Sequence, residues 1–179
     1  MLLTIKEMEV RALPFAGTWE PGKLDFAGTG AIQKSALHAE GLAEILSGSD
    51  DEVRVKGHVS TELETECDRC LGRALFKIDT PFDLYYKPAS AVATDEEIAI
   101  GDDEAEMGFY QLPGIELEQI LTEQVLLQLP MQKVCSETCK GICPVCGSNR
   151  NETDCHCEAP QTHAKTADNR WRALKDVRV

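Results

Sequence analysis

The clearest structural signal in the chain is residues 53–65, Val53-Arg54-Val55-Lys56-Gly57-His58-Val59-Ser60-Thr61-Glu62-Leu63-Glu64-Thr65. Its odd-numbered positions are apolar or β-branched apart from Gly57, and its even-numbered positions are polar. A period of two is typical of a strand that buries one face. The glycine in its middle indicates a bulge or a bend. The stretch therefore predicts a half-buried β-strand.

This strand leads into a predicted hairpin turn, Cys67-Asp68-Arg69-Cys70, and the return strand runs from Arg73 to Tyr86. No helix-length segment separates the two strands, which favours antiparallel over parallel pairing. We expect an α+β fold, formed mainly by an antiparallel β-sheet or a partly closed barrel. We also expect a small C-terminal module in which cysteines bind zinc.

Two segments after the hairpin differ sharply in character. Residues 88–114 contain seven acidic residues and no basic one, which is typical of a solvated loop. A less favoured interpretation is a mimic of nucleic acid or a docking strip for a basic partner.

Residues 115–128 place apolar side chains at helical spacing and predict an amphipathic helix that covers the sheet. The predicted division is an acidic β-rich body over 1–130 and a cysteine-rich module with a basic C-terminal helix over 131–179.

The cellular compartment matters for the eight cysteines. No apolar run approaches the ~20 residues that a membrane span requires, and the first residues lack the features of a signal peptide. We therefore expect a cytoplasmic protein that has no membrane attachment. A reducing compartment favours metal binding by cysteines over disulfides.

The cysteines fall into two candidate groups of four. In the first, the turn Cys143-Pro144-Val145-Cys146-Gly147 combines with Cys155 and Cys157 in a tetrahedral zinc site. His156 and Cys139 are alternative ligands of that site. The second group consists of Cys67, Cys70, Cys135 and Cys139. Ordinary reduced thiols at Cys67 and Cys70 are the alternative, so the sequence predicts one zinc ion and allows a second.

The cysteine pattern argues against an enzyme. Catalytic zinc keeps an open coordination position, whereas all-thiolate sets are closed. The sequence contains no phosphate-binding glycine loop, no Ser-His-Asp candidates and no HExxH motif. We expect no catalytic residue and no small-molecule substrate. Two functions that the cysteine pattern allows are a zinc-stabilised protein-interaction adaptor and a thiol- or zinc-based redox sensor.

The charge of the chain is unevenly distributed within a net charge of −13. Residues 1–129 hold 25 acidic and 10 basic residues, a balance of −15, whereas residues 130–179 hold 6 and 8, a balance of +2. The acidic body repels phosphate groups, so any contact with RNA belongs to the C-terminal quarter. The candidate residues for contact with RNA or a partner are Lys165, Arg170, Trp171, Arg172 and Lys175. The apolar side of this predicted helix could instead pack on the body.

Three motifs together resemble the YceD family of large ribosomal RNA subunit accumulation proteins. They are Cys67-Asp68-Arg69-Cys70-Leu71, the helix end Leu127-Gln128-Leu129-Pro130, and the cysteine run from Cys135 through Cys143-Pro144-Val145-Cys146-Gly147 to Asn151. The resemblance implies a ribosome biogenesis factor that promotes accumulation of large-subunit (23S) ribosomal RNA without catalysis. It also implies the large ribosomal subunit precursor as partner, bound through ribosomal RNA, ribosomal proteins or both.

Overall fold

The computed structural model describes residues 1–26, 28–46, 48, 51–91 and 107–157. Strand β1 (Leu2–Thr4) and the short helix α1 (Ile5–Met8) begin the chain. The next elements are β2 (Leu13–Trp19), β3 (Ile32–Gln33), β4 (Leu37–Ile45), β5 (Val53–Glu66) and β6 (Arg73–Pro88). After a 3-10 turn at Ala89–Ala91, the described chain resumes with β7 (Met107–Tyr110), β8 (Gly114–Glu116) and α2 (Leu117–Leu127).

The main sheet has the strand order β2-β4-β5-β6-β7, with β3 paired to β5 beside β4. All of its pairs are antiparallel except the parallel pair of β6 and β7. Strands β1 and β8 form a separate antiparallel pair. Of the two expected architectures, the mainly antiparallel sheet is confirmed and the partly closed barrel is wrong. The edge strands β2 and β7 pair with no further strand in the part of the chain that the structure describes, so the sheet is open.

The predicted half-buried strand is confirmed as β5, the centre of the sheet. It pairs with β6 over its whole length, from Val53 opposite Tyr86 to Glu66 opposite Arg73. Its odd-numbered side chains are buried, and Val53 and Leu63 are fully inaccessible. The alternation of apolar and polar residues predicts which side chains are buried, because successive side chains of a strand point to opposite faces.

The expected bulge at Gly57 is wrong, because this residue pairs with Phe82 in an uninterrupted register. Gly57 lies beside Gly41 of β4, and the ring of Phe15 from β2 packs over that glycine. A Cβ atom at Gly57 would lie 2.9 Å from Cζ of Phe82, and one at Gly41 would lie 2.4 Å from Cζ of Phe15. The two glycines therefore admit aromatic rings into the core, which a strand with side chains there could not do.

Helix α2 confirms the predicted covering helix with shorter bounds, 117–127 in place of 115–128. Its buried side chains join the core that also contains the odd-numbered residues of β5; they are Leu117, Ile120, Leu121 and Val125. The helix starts later than predicted because Gly114–Glu116 pair with β1 as strand β8. No helix in the described part of the chain is long and apolar enough to cross a membrane.

The loop predicted over 88–114 is wrong at its C-terminal end. Residues Met107–Tyr110 form β7, and Tyr110 is buried with its hydroxyl donating a 3.0 Å hydrogen bond to the carbonyl oxygen of Asp51. The aromatic residues at 109 and 110 favour a strand. All seven acidic residues of the predicted loop lie in 92–106, outside the described residues. The predicted C-terminal helix lies outside them as well.

Candidate metal centre

Four cysteine sulfurs meet at the closed end of the β5–β6 hairpin. Cys67 and Cys70 belong to the hairpin turn, and Cys135 and Cys139 to the segment after α2. All four sulfurs lie within 4.8 Å of one another, with 3.9 Å from Cys67 to Cys139 and 3.7 Å from Cys70 to Cys135. A tetrahedron with Zn–S bonds of about 2.3 Å has edges of about 3.8 Å. The spacing of this first cluster therefore fits a tetrahedral metal ion.

Hydrogen bonds of the main chain and of Asp68 hold the hairpin turn and the segment after α2 together at the first cluster. Within the turn, the amide of Cys67 donates to Gly72 at 2.7 Å and the amide of Leu71 donates to Cys67 at 2.9 Å. Asp68 then attaches the turn to the segment after α2. Its amide donates to the carbonyl oxygen of Lys133 at 2.7 Å, and its carboxylate accepts from the amide of Lys133 at 2.6 Å. This double contact is called the Asp68 clamp below.

A second cluster contains Cys143, Cys146, Cys155 and Cys157, whose sulfurs also lie within 4.8 Å of one another. The turn at Cys143 closes through two main-chain bonds, from Gly147 to Cys143 at 2.9 Å and from Cys143 to Ser148 at 2.8 Å. Gly147 has φ +73°, a conformation that favours glycine. The cluster includes neither His156 nor Cys139, the two alternative ligands, and Cys139 lies in the first cluster.

Hydrogen bonds from the protein lower the pKa of two cysteines in each cluster, Cys67 and Cys139 in the first and Cys143 and Cys146 in the second. Burial opposes the charge on Cys67, yet donation by the amides of Arg69, Cys70 and Cys135 outweighs it and lowers its pKa to about 6. The hydroxyl and amide of Ser148 lower the pKa of Cys146 to about 6. Both sulfurs are therefore ready to bind a cation near neutral pH.

One cysteine in each cluster instead favours its protonated form, because it donates to a neighbouring sulfur. A hydrogen bond from Cys135 to Cys139 stabilises the protonated form and raises the pKa of Cys135 to about 12. The same arrangement toward Cys146 raises the pKa of Cys157 to about 12. Metal ligation requires all four thiols of a cluster to lose their protons. The four thiolates then repel one another at this spacing, and a cation between them would offset the repulsion.

The donor set restricts the chemistry of both clusters. Tetrahedral sets of four thiolates select zinc or iron over magnesium and calcium, which prefer oxygen ligands. Because each cluster offers four sulfurs, a tetrahedral ion in it would keep no open position for a substrate. The arrangement suits a structural metal that fastens the segment after α2 to the hairpin.

The structure brings together both groups of cysteines that the sequence predicts, and it adds supporting residues that sequence reasoning missed. These are the Asp68 clamp, Ser148 beside Cys146, and Asn151, whose side-chain amide donates to Sγ of Cys139 at 3.4 Å. Their only signal was the presence of Asp, Ser and Asn beside the cysteine turns. The five predicted contact residues from Lys165 to Lys175 lie outside the described residues.

Comparison with known proteins identifies relatives of this chain. Uncharacterized proteins of Mycobacterium tuberculosis and Mycobacterium bovis are 34% identical over 119 residues, which cover 66% of this chain and 51% of theirs. One from Mycobacterium leprae is 31% identical over 102 residues, 55% of this chain and 43% of its own. The chain thus spans about half the length of the curated relatives it matches. No solved structure matches it.

The family comparison covers both cysteine clusters. The model described as "Large ribosomal RNA subunit accumulation protein YceD" matches residues 55–178, more than half of the chain. This range contains the β5–β6 hairpin from its third residue onward, helix α2 and all eight cysteines. The resemblance seen in the three sequence motifs is confirmed, and the chain belongs to the YceD family.

Proposed function

We propose that this protein is a ribosome biogenesis factor of the cytoplasm that promotes accumulation of large-subunit (23S) ribosomal RNA. It acts by binding and not by catalysis. The observation that carries the proposal is the family match over residues 55–178, whose description names accumulation of large ribosomal subunit RNA. The cysteine geometry supports the binding role, because two closed sets of thiolates leave no coordination position for chemistry.

Each cysteine cluster holds one zinc ion with a structural role. Within residues 131–157, all of which the structure describes, only Cys139, Gly141 and Cys143 are buried. A segment with so little buried apolar surface needs a metal or another crosslink to hold one conformation. Zinc in the first cluster fastens this segment to the hairpin, and zinc in the second cluster shapes the rest of it.

The partner is the large ribosomal subunit precursor, reached through ribosomal RNA, ribosomal proteins or both. Charge favours the C-terminal quarter as the contact surface, since residues 130–179 have a balance of +2 against −15 for residues 1–129. Phosphate contacts are made by basic side chains. We assign these contacts to Lys165, Arg170, Arg172 and Lys175, with Trp171 stacking on a base or packing on a protein partner.

The test is purification of the tagged full-length protein from its own cells, with sequencing of the RNA and identification of the proteins that accompany it. The purification is repeated after nuclease treatment. Immature large-subunit RNA and its ribosomal proteins are the expected companions. Loss of the proteins after nuclease means that RNA mediates binding, and their retention identifies a protein contact. A preparation that lacks ribosomal material would overturn the proposal and favour the adaptor or sensor interpretation.

A matched pair of variants tests the contact surface. Arg170→Glu with Arg172→Glu should reduce the recovered RNA at unchanged zinc content. Lys6→Glu with Arg11→Glu makes the same change in net charge at exposed positions of the body and should leave recovery unchanged. Equal recovery with both double variants, whether high or low, would contradict the assignment to the C-terminal quarter.

A further inference from the structure

One side chain connects the two cysteine clusters. Asn151 lies between Cys146 and Cys155, so it belongs to the loop that the second cluster closes. Its side chain nevertheless serves the first cluster, because Nδ2 donates to Sγ of Cys139 at 3.4 Å. Its Oδ1 accepts from the amide of Lys140, the next residue, at 2.8 Å. The amide group therefore fixes both the sulfur and the main chain at Cys139.

The second cluster's own loop sets the orientation of Asn151. Oδ1 of Asn149 accepts from the main-chain amide of Asn151 at 3.0 Å and from its Nδ2 at 2.9 Å. Asn149 is held in turn by its side-chain bond to Glu152 at 2.9 Å, and its carbonyl oxygen accepts from the amide of Thr153 at 3.0 Å. Asn151 can donate to Cys139 only while this loop keeps its shape.

Main-chain contacts join the same parts. The amide of Ile142 donates to the carbonyl oxygen of Arg69 in the hairpin turn, and the amide of Arg150 donates to Gly141, both at 2.9 Å. Gly141 has φ +72°, and a Cβ atom there would lie 3.0 Å from the carbonyl oxygen of Arg69. Residues 139–142 thus lie between the hairpin turn and the loop of the second cluster. This shared segment therefore connects the two clusters physically.

We propose that the two clusters bind metal cooperatively and that Asn151 carries the coupling. Metal in the second cluster fixes the loop, which holds Asn151 against Cys139 and so keeps the Cys139 sulfur and its main chain in the orientation that the first cluster needs. The inference rests on the proposed metal binding of both clusters. Coupling between binding sites is reciprocal, so metal in the first cluster raises the affinity of the second by the same factor.

The test measures zinc affinity by competition with a chromophoric chelator, and cobalt spectra verify thiolate coordination. Cys155→Ser with Cys157→Ser disables the second cluster and should lower the affinity of the first about 10- to 100-fold, the usual effect of losing a partner of a metal ligand. Asn151→Asp keeps the acceptor for Lys140 and removes the donor to Cys139, so it should cause a similar loss. Gln119→Glu, the same amide-to-carboxylate change at an exposed position of α2, should cause none.

Combined variants separate coupling from general damage. In the background that lacks Cys155 and Cys157, Asn151→Asp should cause little further loss of zinc affinity at the first cluster, because the loop that orients residue 151 has already lost its shape. In the background Cys135→Ser with Cys139→Ser, the second cluster should weaken by the matching factor and Asn151→Asp should have no effect. Fully additive losses, or an unchanged first cluster after the second is disabled, would overturn the coupling and leave metal binding intact. Failure of the unaltered protein to bind metal would overturn both.

Discussion

The Asp68 clamp makes a sharp prediction about how fast metal leaves the first cluster. We expect the proposed metal to escape when the segment after α2 lifts from the hairpin turn, and this opening breaks the bond from the amide of Lys133 to the carboxylate of Asp68. A hydrogen bond to a charged group contributes about 1.5–3 kcal/mol. Asp68 is exposed, so solvent reduces the contribution to about 1–1.5 kcal/mol. Since about 1.4 kcal/mol corresponds to a factor of ten, Asp68→Ala should speed metal release about 5- to 10-fold.

The measurement is the rate of zinc transfer to an excess of chromophoric chelator. It is made in the background that lacks Cys155 and Cys157, so that only the first cluster contributes. Asp68→Asn is the matched control because its neutral side-chain oxygen can still accept from Lys133, so it should release metal more slowly than Asp68→Ala. Release from Asp68→Ala at the parent rate would refute the clamp. Equal acceleration by Asp68→Asn would refute the assignment to this one hydrogen bond.

Three further predictions concern the body and its junction with the cysteine segment. Gly41→Ala should destabilise the fold by about 2 kcal/mol, because the new methyl group would lie 2.3 Å from a main-chain oxygen of β5. In thermal unfolding this corresponds to a lower Tm by about 4–8 °C. Gly72→Ala, whose Cβ would meet nothing closer than 3.4 Å, should leave the Tm unchanged. The hydrogen-bonded Arg54 guanidinium holds the pKa of Asp83 below its usual range, so this stabilisation is present above about pH 4 and is lost as the pH falls through the lowered pKa. The Tm difference between the unaltered protein and Asp83→Asn should therefore be larger at pH 7 than at pH 3. A chelator should abolish amide protection in residues 131–157 and leave protection in β5 and β6 unchanged, as hydrogen exchange would show; simultaneous loss in the strands would contradict a separately folded body.

The sequence allowed the centre of the fold to be predicted because its signals are local. Alternation in residues 53–65 depends only on which face of one strand is buried, and the turn residues at 67–70 fix the direction of return. The cysteine pairs could also be predicted, since two cysteines a few residues apart in the sequence can bring their sulfurs close together. Grouping Cys67 and Cys70 with Cys135 and Cys139 needed only one further assumption. A tetrahedral site takes four thiols, so each pair requires a second pair. That these groups bind zinc stays a prediction.

The predictions that failed concern residues whose structural role depends on partners far away in the sequence. Strand β7 is four residues long and follows an acidic segment, so no periodicity marks it, and its pairing with β6 depends on where that segment returns. The role of Gly57 was misassigned because its requirement comes from Gly41 and Phe82, which are 16 and 25 residues away. Asn151 was missed for the same reason, since its partner Cys139 belongs to a different cluster.

The length of the hairpin has a consequence for how a negatively charged protein can approach RNA. Strand β5 has 14 residues, which at a rise of about 3.3 Å per residue separates the two ends of the hairpin by about 45 Å. The first cluster lies at one end, and the chain that carries the seven acidic residues leaves and rejoins the sheet at the other, after Ala91 and before Met107. Electrostatic forces in physiological salt decay over about 8 Å, so about five such lengths lie between the ends. Phosphates bound near the cysteine end would therefore feel almost no field from charges at the opposite end of the hairpin.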